Sequence, residues 1–446
     1  MLSKKLLVNL LFIFSFAFWG IGNYVTAEIS EVLGYAISSV PYLLLFAFFL
    51  LDFIHRSKYA GRRHIRVTTN RFYWLVLFFI MTAVVARFVG LTHGVPNLNP
   101  KNALAFAIMA FIPFHGFIVL HYYNANDPDF DFLDLFFKGM LVLWAVNMLG
   151  FAAGFTNSNH YIPGRVNFPF TNGIYEGGNI MLVVAIFSFY YMVSYWRKQP
   201  YYAMGYACLL LIDLALFVGV NSRLSTLLMG VIILLAITRA LRAFTLWFSA
   251  TWFLLPGLLG LGTLVYNILS LPVFAVVMQR INKKDLTTFN GRTYLWEAGM
   301  DWMIQDRTGL LFGNGFNGGG YLKLYQKVVK LWNVKDPWVL HSHSALIETV
   351  VDQGLIGILS FGIILYHTGK YYRNRLDDGM NYRAAYLVFF LILALLQIDT
   401  FVVAGGWGYI LALALASPIV IKKISLPEKS LNKRNSKSKI DLMPQY

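Results

Sequence analysis

The residues best placed to do chemistry form a short run, His341-Ser342-His343-Ser344, directly before an apolar stretch carrying Gly354 and Gly357. Ser344 can cap the helix that follows, because a serine hydroxyl accepts from unpaired N–H groups of a first turn. The positive end of such a helix suits an anionic group. A histidine beside it can hydrogen-bond, or take a proton as a general base near neutral pH. The alternative is a pair of interfacial histidines with no chemical role. Two residues apart, the two rings are expected to aim in different directions. Glu348 stands five residues beyond His343, a poor spacing for a shared metal, and no third ligand is evident, so no metal is expected.

Three arginines qualify as partners for an anion. Arg223 follows Asn221-Ser222 in a very short turn between apolar stretches. A charge that close to hydrocarbon is costly and marks a candidate site, unless its stem snorkels to the headgroups. Arg292, in Asn290-Gly291-Arg292-Thr293, opens an amphipathic stretch. A guanidinium pairs two phosphate oxygens at once, which lysine cannot do. Arg165, in Gly164-Arg165-Val166-Asn167, either lines a glycan groove or shapes a turn, and Arg87 falls near the end of an apolar stretch. Asp213 and Asp399 lie inside apolar stretches, as proton-relay groups or as partners for polar groups between helices.

The chain that must position these residues has 446 residues, 58% hydrophobic and 13% charged. Soluble domains carry roughly 25% charged residues, so most of this chain cannot face water. A spanning helix needs about 20 mostly apolar residues. Twelve such spans are predicted, near Leu6–Tyr24, Leu33–Ile54, Phe72–Leu91, Ala103–His121, Leu133–Ala153, Gly178–Tyr195, Ala203–Val220, Leu224–Ile237, Phe244–Leu269, Ala345–His367, Ala384–Val403 and Trp407–Ile421. The first resembles a signal peptide but reads as an uncleaved span. Lys and Arg collect in alternate connections, from Arg56 to Arg71, at Arg197–Lys198, at Arg239 and Arg242, and from Lys370 to Arg383. That bias places both termini in the cytoplasm, and the net charge of +16 then needs no nucleic acid to explain it. The connection Asn124–Asp134 is acidic and dissents. Cys208 is the only cysteine, so no disulfide forms within the chain.

The domain organisation follows. Residues 1–425 form a polytopic all-α membrane domain, and 426–446 a basic, disordered cytoplasmic tail that can lie against anionic lipid. Residues 270–344 form one long extracytoplasmic loop between the ninth and tenth spans. That loop is basic, with Arg280 and Arg292 among its cations, through ordinary solvation or through binding of an anionic ligand. Within it Thr293–Asp306 reads as an amphipathic helix able to lie on a membrane surface. Gly313, Gly315 and Gly318–Gly320 read as a flexible turn region.

The combination of Ser222-Arg223, Gly291-Arg292-Thr293 with Trp296, Gly313-Asn314-Gly315, and His343-Ser344 before Gly354-Leu355-Ile356-Gly357 resembles the O-antigen ligase and O-antigen polymerase superfamily. The likeness covers about residues 221–359. It implies a GT-C-like membrane glycosyltransferase that takes a glycan from an undecaprenyl-diphosphate-linked donor at the outer face of the bacterial inner membrane. It implies no cofactor, a glycan or lipid-linked acceptor, and other polysaccharide-assembly proteins as possible partners. By motif position His343 matches the family's essential histidine, and Arg223 and Arg292 its arginines. Ser344 stands where many members have asparagine, and His341 lies outside the motif. Arg165, His341, Ser344 and Arg280 are the substrate-binding candidates. As a base, His343 would lose activity at low pH as it protonates. The expected reaction is repeat-unit polymerisation for O-antigen, capsule or exopolysaccharide, with ligation to lipid A core as the alternative. A secondary transporter or flippase also suits twelve spans, but the long loop breaks the expected two-fold repeat.

Overall fold

The computed structural model describes residues 4–59, 66–125, 127–157, 162–171, 173–220, 222–237, 241, 292–334, 338, 340–398, 400 and 406–425. The predicted ninth span, Arg280, Asp399 and the basic tail fall outside them. Each of the other eleven predicted spans coincides with a helix: α1 (Lys4–Glu28), α2 (Glu31–Tyr59), α3 (Arg71–Thr92), α4 (Pro100–Asn124), α5 (Phe132–Ala152), α6 (Gly173–Tyr195), α7 (Pro200–Val220), α8 (Arg223–Ile237), α13 (Ala345–Arg373), α14 (Met380–Ile398) and α15 (Trp407–Val420). Among the described residues, four shorter helices lie between α8 and α13: α9 (Arg292–Gln305), α10 (Arg307–Phe312), α11 (Gly318–Tyr321) and α12 (Gln326–Trp332). Among the described residues nine helices are long and apolar enough to cross a bilayer. The protein is therefore a multi-pass, helical membrane protein. α8 and α15, of 15 and 14 residues, are shorter. α15 would rise only about 21 Å, less than the roughly 30 Å of a hydrocarbon core. Nearly every residue of it is buried, so it packs on protein all round rather than on lipid.

Aromatic side chains fill the centre. Phe12 and Phe16 of α1 pack edge-on against each other, Phe16 against Phe136 of α5 and Trp407 of α15, and Phe12 against Phe117 of α4. Such pairs favour offset and edge-to-face geometry over face-to-face stacking. α1, the predicted first span, is thus part of the core.

At one end of the bundle the start of α1 meets the ends of α2 and α4. Lys4 pairs with Asp52, and Lys5 with Asp127. Asp131 caps α5 by accepting from the N–H groups of Leu133 and Asp134, and Asp134 pairs with Lys138 at 2.7 Å. Three of the four aspartates in that acidic connection, Asp127, Asp131 and Asp134, are thus caps or ion-pair partners. At this end the all-α expectation needs a small correction. β1 (Arg66–Thr69) pairs antiparallel with β2 (Ile421–Ser425), Val67 opposite Ile424. β-branched residues suit such a ladder. Asn70 caps α3 through the Phe72 N–H and donates to the Ile419 carbonyl, which ties α3 to the end of α15.

At the other end Arg87 of α3 is buried, paired with Glu31 of α2, and Asn102 of α4 donates to the same carboxylate at 2.6 Å. The helices and turns after α8 close over this end.

Candidate functional site

The site begins with a broken helix. Gly354 inside α13 has φ 70° and ψ −173°, so the helical ladder stops there. The carbonyls it frees are taken by the glycine turn after α10. Asn314 N–H donates to Val351 O at 2.8 Å and Gly315 N–H to Asp352 O at 3.0 Å. Gly313 is itself left-handed, with φ 78°. A Cβ on Gly354 would meet the Leu311 carbonyl and, at 2.6 Å, the Gly313 nitrogen. Only glycine allows both the positive φ and this approach. The two glycine motifs are therefore one interlock, which corrects the expectation of a flexible turn region.

The interlock docks onto α3. Phe316 N–H donates to Ala86 O at 2.7 Å, and the Arg87 guanidinium lies 3.7 Å from the Phe316 ring centre. Asp352 accepts from Gly318 N–H at 3.0 Å. With the turn fixed on α3, the chain is returned to the start of α13.

There the His341–Ser344 run makes a tight turn on buried hydrogen bonds. Ser344 caps α13, its Oγ accepting from Ile347 N–H at 3.4 Å. Ser342 is fully buried, and its N–H donates to Glu348 Oε2 at 2.9 Å. Its Oγ lies 2.8 Å from that same oxygen and 2.8 Å from the Ser344 carbonyl. Its carbonyl accepts from Trp296 Nε1–H of α9 at 2.9 Å. Trp296 can reach because Gly299, one turn on, lets α9 close on α13, where a Cβ would stand 2.7 Å from Ile347. Leu295, Trp296, Gly299 and Trp302 are the buried stripe of α9, while Tyr294 and Ile304 are exposed. The apolar face expected for a membrane surface is turned against protein.

His343 has φ 51°, left-handed in a residue that rarely adopts it. The sharp bend brings its ring centre 4.1 Å from that of His341, edge to face. The expectation that the two histidines aim apart is thereby overturned, because alternation holds for extended chain and His343 is not extended. His343 N–H donates to His341 Nδ1 at 3.3 Å. Arg292 opens α9 four residues before Trp296, on the same helix face. Burial first, then the charges of His341 and Arg292, push the His343 pKa down to about 2. Tyr325, buried close by, is held well above the usual phenol range by burial and by Glu348 and Asp352.

The structure thus gathers His341, His343, Ser344 and Arg292. Arg223 opens α8, which packs on α6, and its side chain lies outside the described residues. Arg165 sits in a loop fixed to the end of α7 by Val166 N–H to Gly219 O at 3.0 Å, directly before the turn into α8. Asp213 accepts from Trp144 Nε1–H at 2.9 Å and pairs two helices. The expected anion seat at the start of α13 is partly taken, because the Glu348 carboxylate occupies that turn. Among the described residues no group of three His, Cys, Asp or Glu side chains is placed to hold a metal ion. Sequence reasoning weighed Glu348 only as a metal ligand and passed over Ser342. The signal was there in an acid four residues beyond a capping serine, the mark of a first helical turn.

No curated protein and no solved structure matches the chain. A family model does. Residues 206–362, from within α7 through the break in α13, match the O-antigen ligase family, and that stretch contains Arg223, Arg292, both histidines and the glycine interlock. Over that segment, about a third of the chain, the protein is similar to the O-antigen ligase family, in line with the resemblance its motifs carry.

Proposed function

We propose that the protein polymerises lipid-linked oligosaccharide repeat units of a bacterial surface polysaccharide. The observation that carries this reading is the pairing of the His341 and His343 rings at 4.1 Å, with the Arg292 charge near enough to act on His343, inside the segment that matches the O-antigen ligase family. The donor is an undecaprenyl-diphosphate-linked glycan and the acceptor a sugar hydroxyl of a second lipid-linked unit. The acceptor oxygen forms a bond to the anomeric carbon while the bond from that carbon to the phosphate oxygen breaks. The electron pair leaves on the diphosphate, whose growing negative charge Arg292 stabilises, joined by Arg223 from its own turn. His343, neutral before the donor arrives, takes the acceptor's proton. His341, Ser344, Arg165 and Arg280 contact substrate, and no metal or cofactor takes part. The site faces outward from the inner membrane, in a twelve-span, GT-C-like domain with both termini cytoplasmic.

The test is a deletion strain whose surface polysaccharide is run on a gel. Polymerase loss leaves single-repeat products. Full-length chains retained on the carrier lipid would instead identify a ligase acting on lipid A core. In a complemented strain His343→Gln is expected to lower product by about 1000-fold, within the range for a lost general base. Near-full turnover by a folded His343→Gln would falsify the assignment.

A further inference from the structure

Three elements converge at the histidine turn, and they converge on Ser342 rather than on either histidine. Its N–H and Oγ meet one oxygen of Glu348, and its carbonyl is held by Trp296. Ser342 has no exposed surface, and Glu348 is 8% exposed, so water cannot stand in for these bonds. The flanking residues have no comparable anchor. His343 is only partly buried, and its N–H reaches the His341 ring. Fixing Ser342 on both sides therefore fixes the bend that puts the two imidazoles 4.1 Å apart. A left-handed histidine persists only where its surroundings over-determine it.

We propose that Glu348 is the positioning residue of this enzyme, holding His343 at the angle that transfer requires by acting through Ser342. The proposal rests on the reading that His343 takes the acceptor proton. What Glu348 supplies is an acceptor oxygen rather than a charge, since Ser342 N–H donates to its Oε2 at 2.9 Å and Ser342 Oγ lies 2.8 Å from the same atom. A glutamine carbonyl can accept the same two hydrogens. Removing the side chain leaves a buried N–H without a partner and frees the bend. Misplacing a reacting group by about 1 Å can cost about 100-fold in rate.

The experiment uses the purified full-length protein with lipid-linked oligosaccharide extracted from the source strain. Turnover is measured against donor concentration for the parent, Glu348→Ala, Glu348→Gln and His343→Gln. ¹³C-labelled histidine reports the imidazole resonances of His341 and His343. The expected result is a kcat about 100-fold lower in Glu348→Ala with KM unchanged, shifted imidazole resonances, and recovery of most of the kcat in Glu348→Gln. A purely structural role would lower the unfolding temperature and leave kcat intact in the folded fraction, which overturns the proposal. A role for the charge itself would make Glu348→Gln as poor as Glu348→Ala, and overturns it too. Full turnover by His343→Gln would instead break the functional reading, and the imidazole resonances of Glu348→Ala would still decide the positioning claim. Should Glu348→Ala not fold, Ser342→Ala removes only the hydroxyl and is expected to move kcat and the resonances in the same direction.

Discussion

Two turns in this molecule lead a serine into a helix, and they are fastened differently. Before α13, Ser342 is tied to the Glu348 carboxylate and to an indole N–H, and Ser344 caps the helix. Before α8, Ser222 Oγ lies 2.9 Å from Ser225 Oγ, which donates to Asn179 Oδ1 at 3.3 Å. Both turns pack against glycine, Gly299 in the first case and Gly178 in the second. The difference is that one buried carboxylate gathers the bonds of the first turn, whereas neutral hydroxyls and an amide share those of the second. A buried partner left without its hydrogen bond costs more than the bond itself contributes, and in the first turn two donors depend on one acceptor. The histidine turn therefore gains sharpness of geometry and loses tolerance to change. The α8 turn has more ways to re-pair.

The largest expected contrast comes from adding one methyl group to each region. Gly354→Ala must abandon a φ of 70° or drive Cβ into the backbone of Leu311 and Gly313. Backbone cannot yield as a side chain can, so a loss of about 3 kcal/mol or more is expected, with the interlock undone. Gly178→Ala meets the Ser225 hydroxyl at 2.6 Å, a side-chain atom that can rotate. Its cost is expected near 1 kcal/mol. Thermal unfolding of both variants in detergent measures the gap, and equal losses would dissolve the distinction between the regions.

That contrast also marks what the sequence could disclose. Hydropathy located eleven helices because a span must be apolar over its whole length, a signal that needs no knowledge of neighbours. Motif spacing brought out His343, Arg292 and both glycine pairs. It could not reveal that Gly313 and Gly354 touch, because they are 41 positions apart and only the folded chain joins them. Nor could it reveal that His341 and His343 share a side, since the left-handed bend at His343 is imposed by Ser342, Glu348 and Trp296 and not by histidine's own preference. Glu348 was visible as an acid near a helix start, yet its task depends on a turn whose shape no local pattern encodes.

A middle-sized effect separates the two fastenings directly. Trp296→Phe keeps most of the apolar bulk and removes the donor to the Ser342 carbonyl. A buried carbonyl left without its partner costs about 1–3 kcal/mol, and here it also loosens the histidine pair. Kcat is therefore expected to fall along with the unfolding temperature. Ser225→Ala removes a neutral hydroxyl and is expected to cost about 1 kcal/mol, with Asn179 and Ser222 free to re-pair. If both variants lost stability alone, the histidine turn would owe nothing special to Trp296.

The smallest expected effect is in the pH dependence, and it belongs to one turn only. His343 is held neutral down to about pH 2, first by burial and then by His341 and Arg292. In the unfolded chain it protonates near 6.5. Between those values the unfolded state binds the extra proton, so stability falls as pH drops below about 6.5 and is indifferent to this group above it. Partial exposure of the ring screens the effect, which is expected to be about 1 kcal/mol at pH 5. The stability difference between the parent and His343→Gln should therefore shrink from pH 8 to pH 5, with other titrating groups cancelling in the subtraction. Ser222, Ser225 and Asn179 do not titrate, so Ser225→Ala should show the same difference at both pH values. In activity, His343 stays unprotonated throughout this range, so its protonation removes none of the active form. The fall at low pH that an ordinary histidine would give is expected to be missing from kcat/KM, which reports the free enzyme. A clear imidazole limb near pH 6.5 that vanished in His343→Gln would mean that the ring is not held neutral by its surroundings.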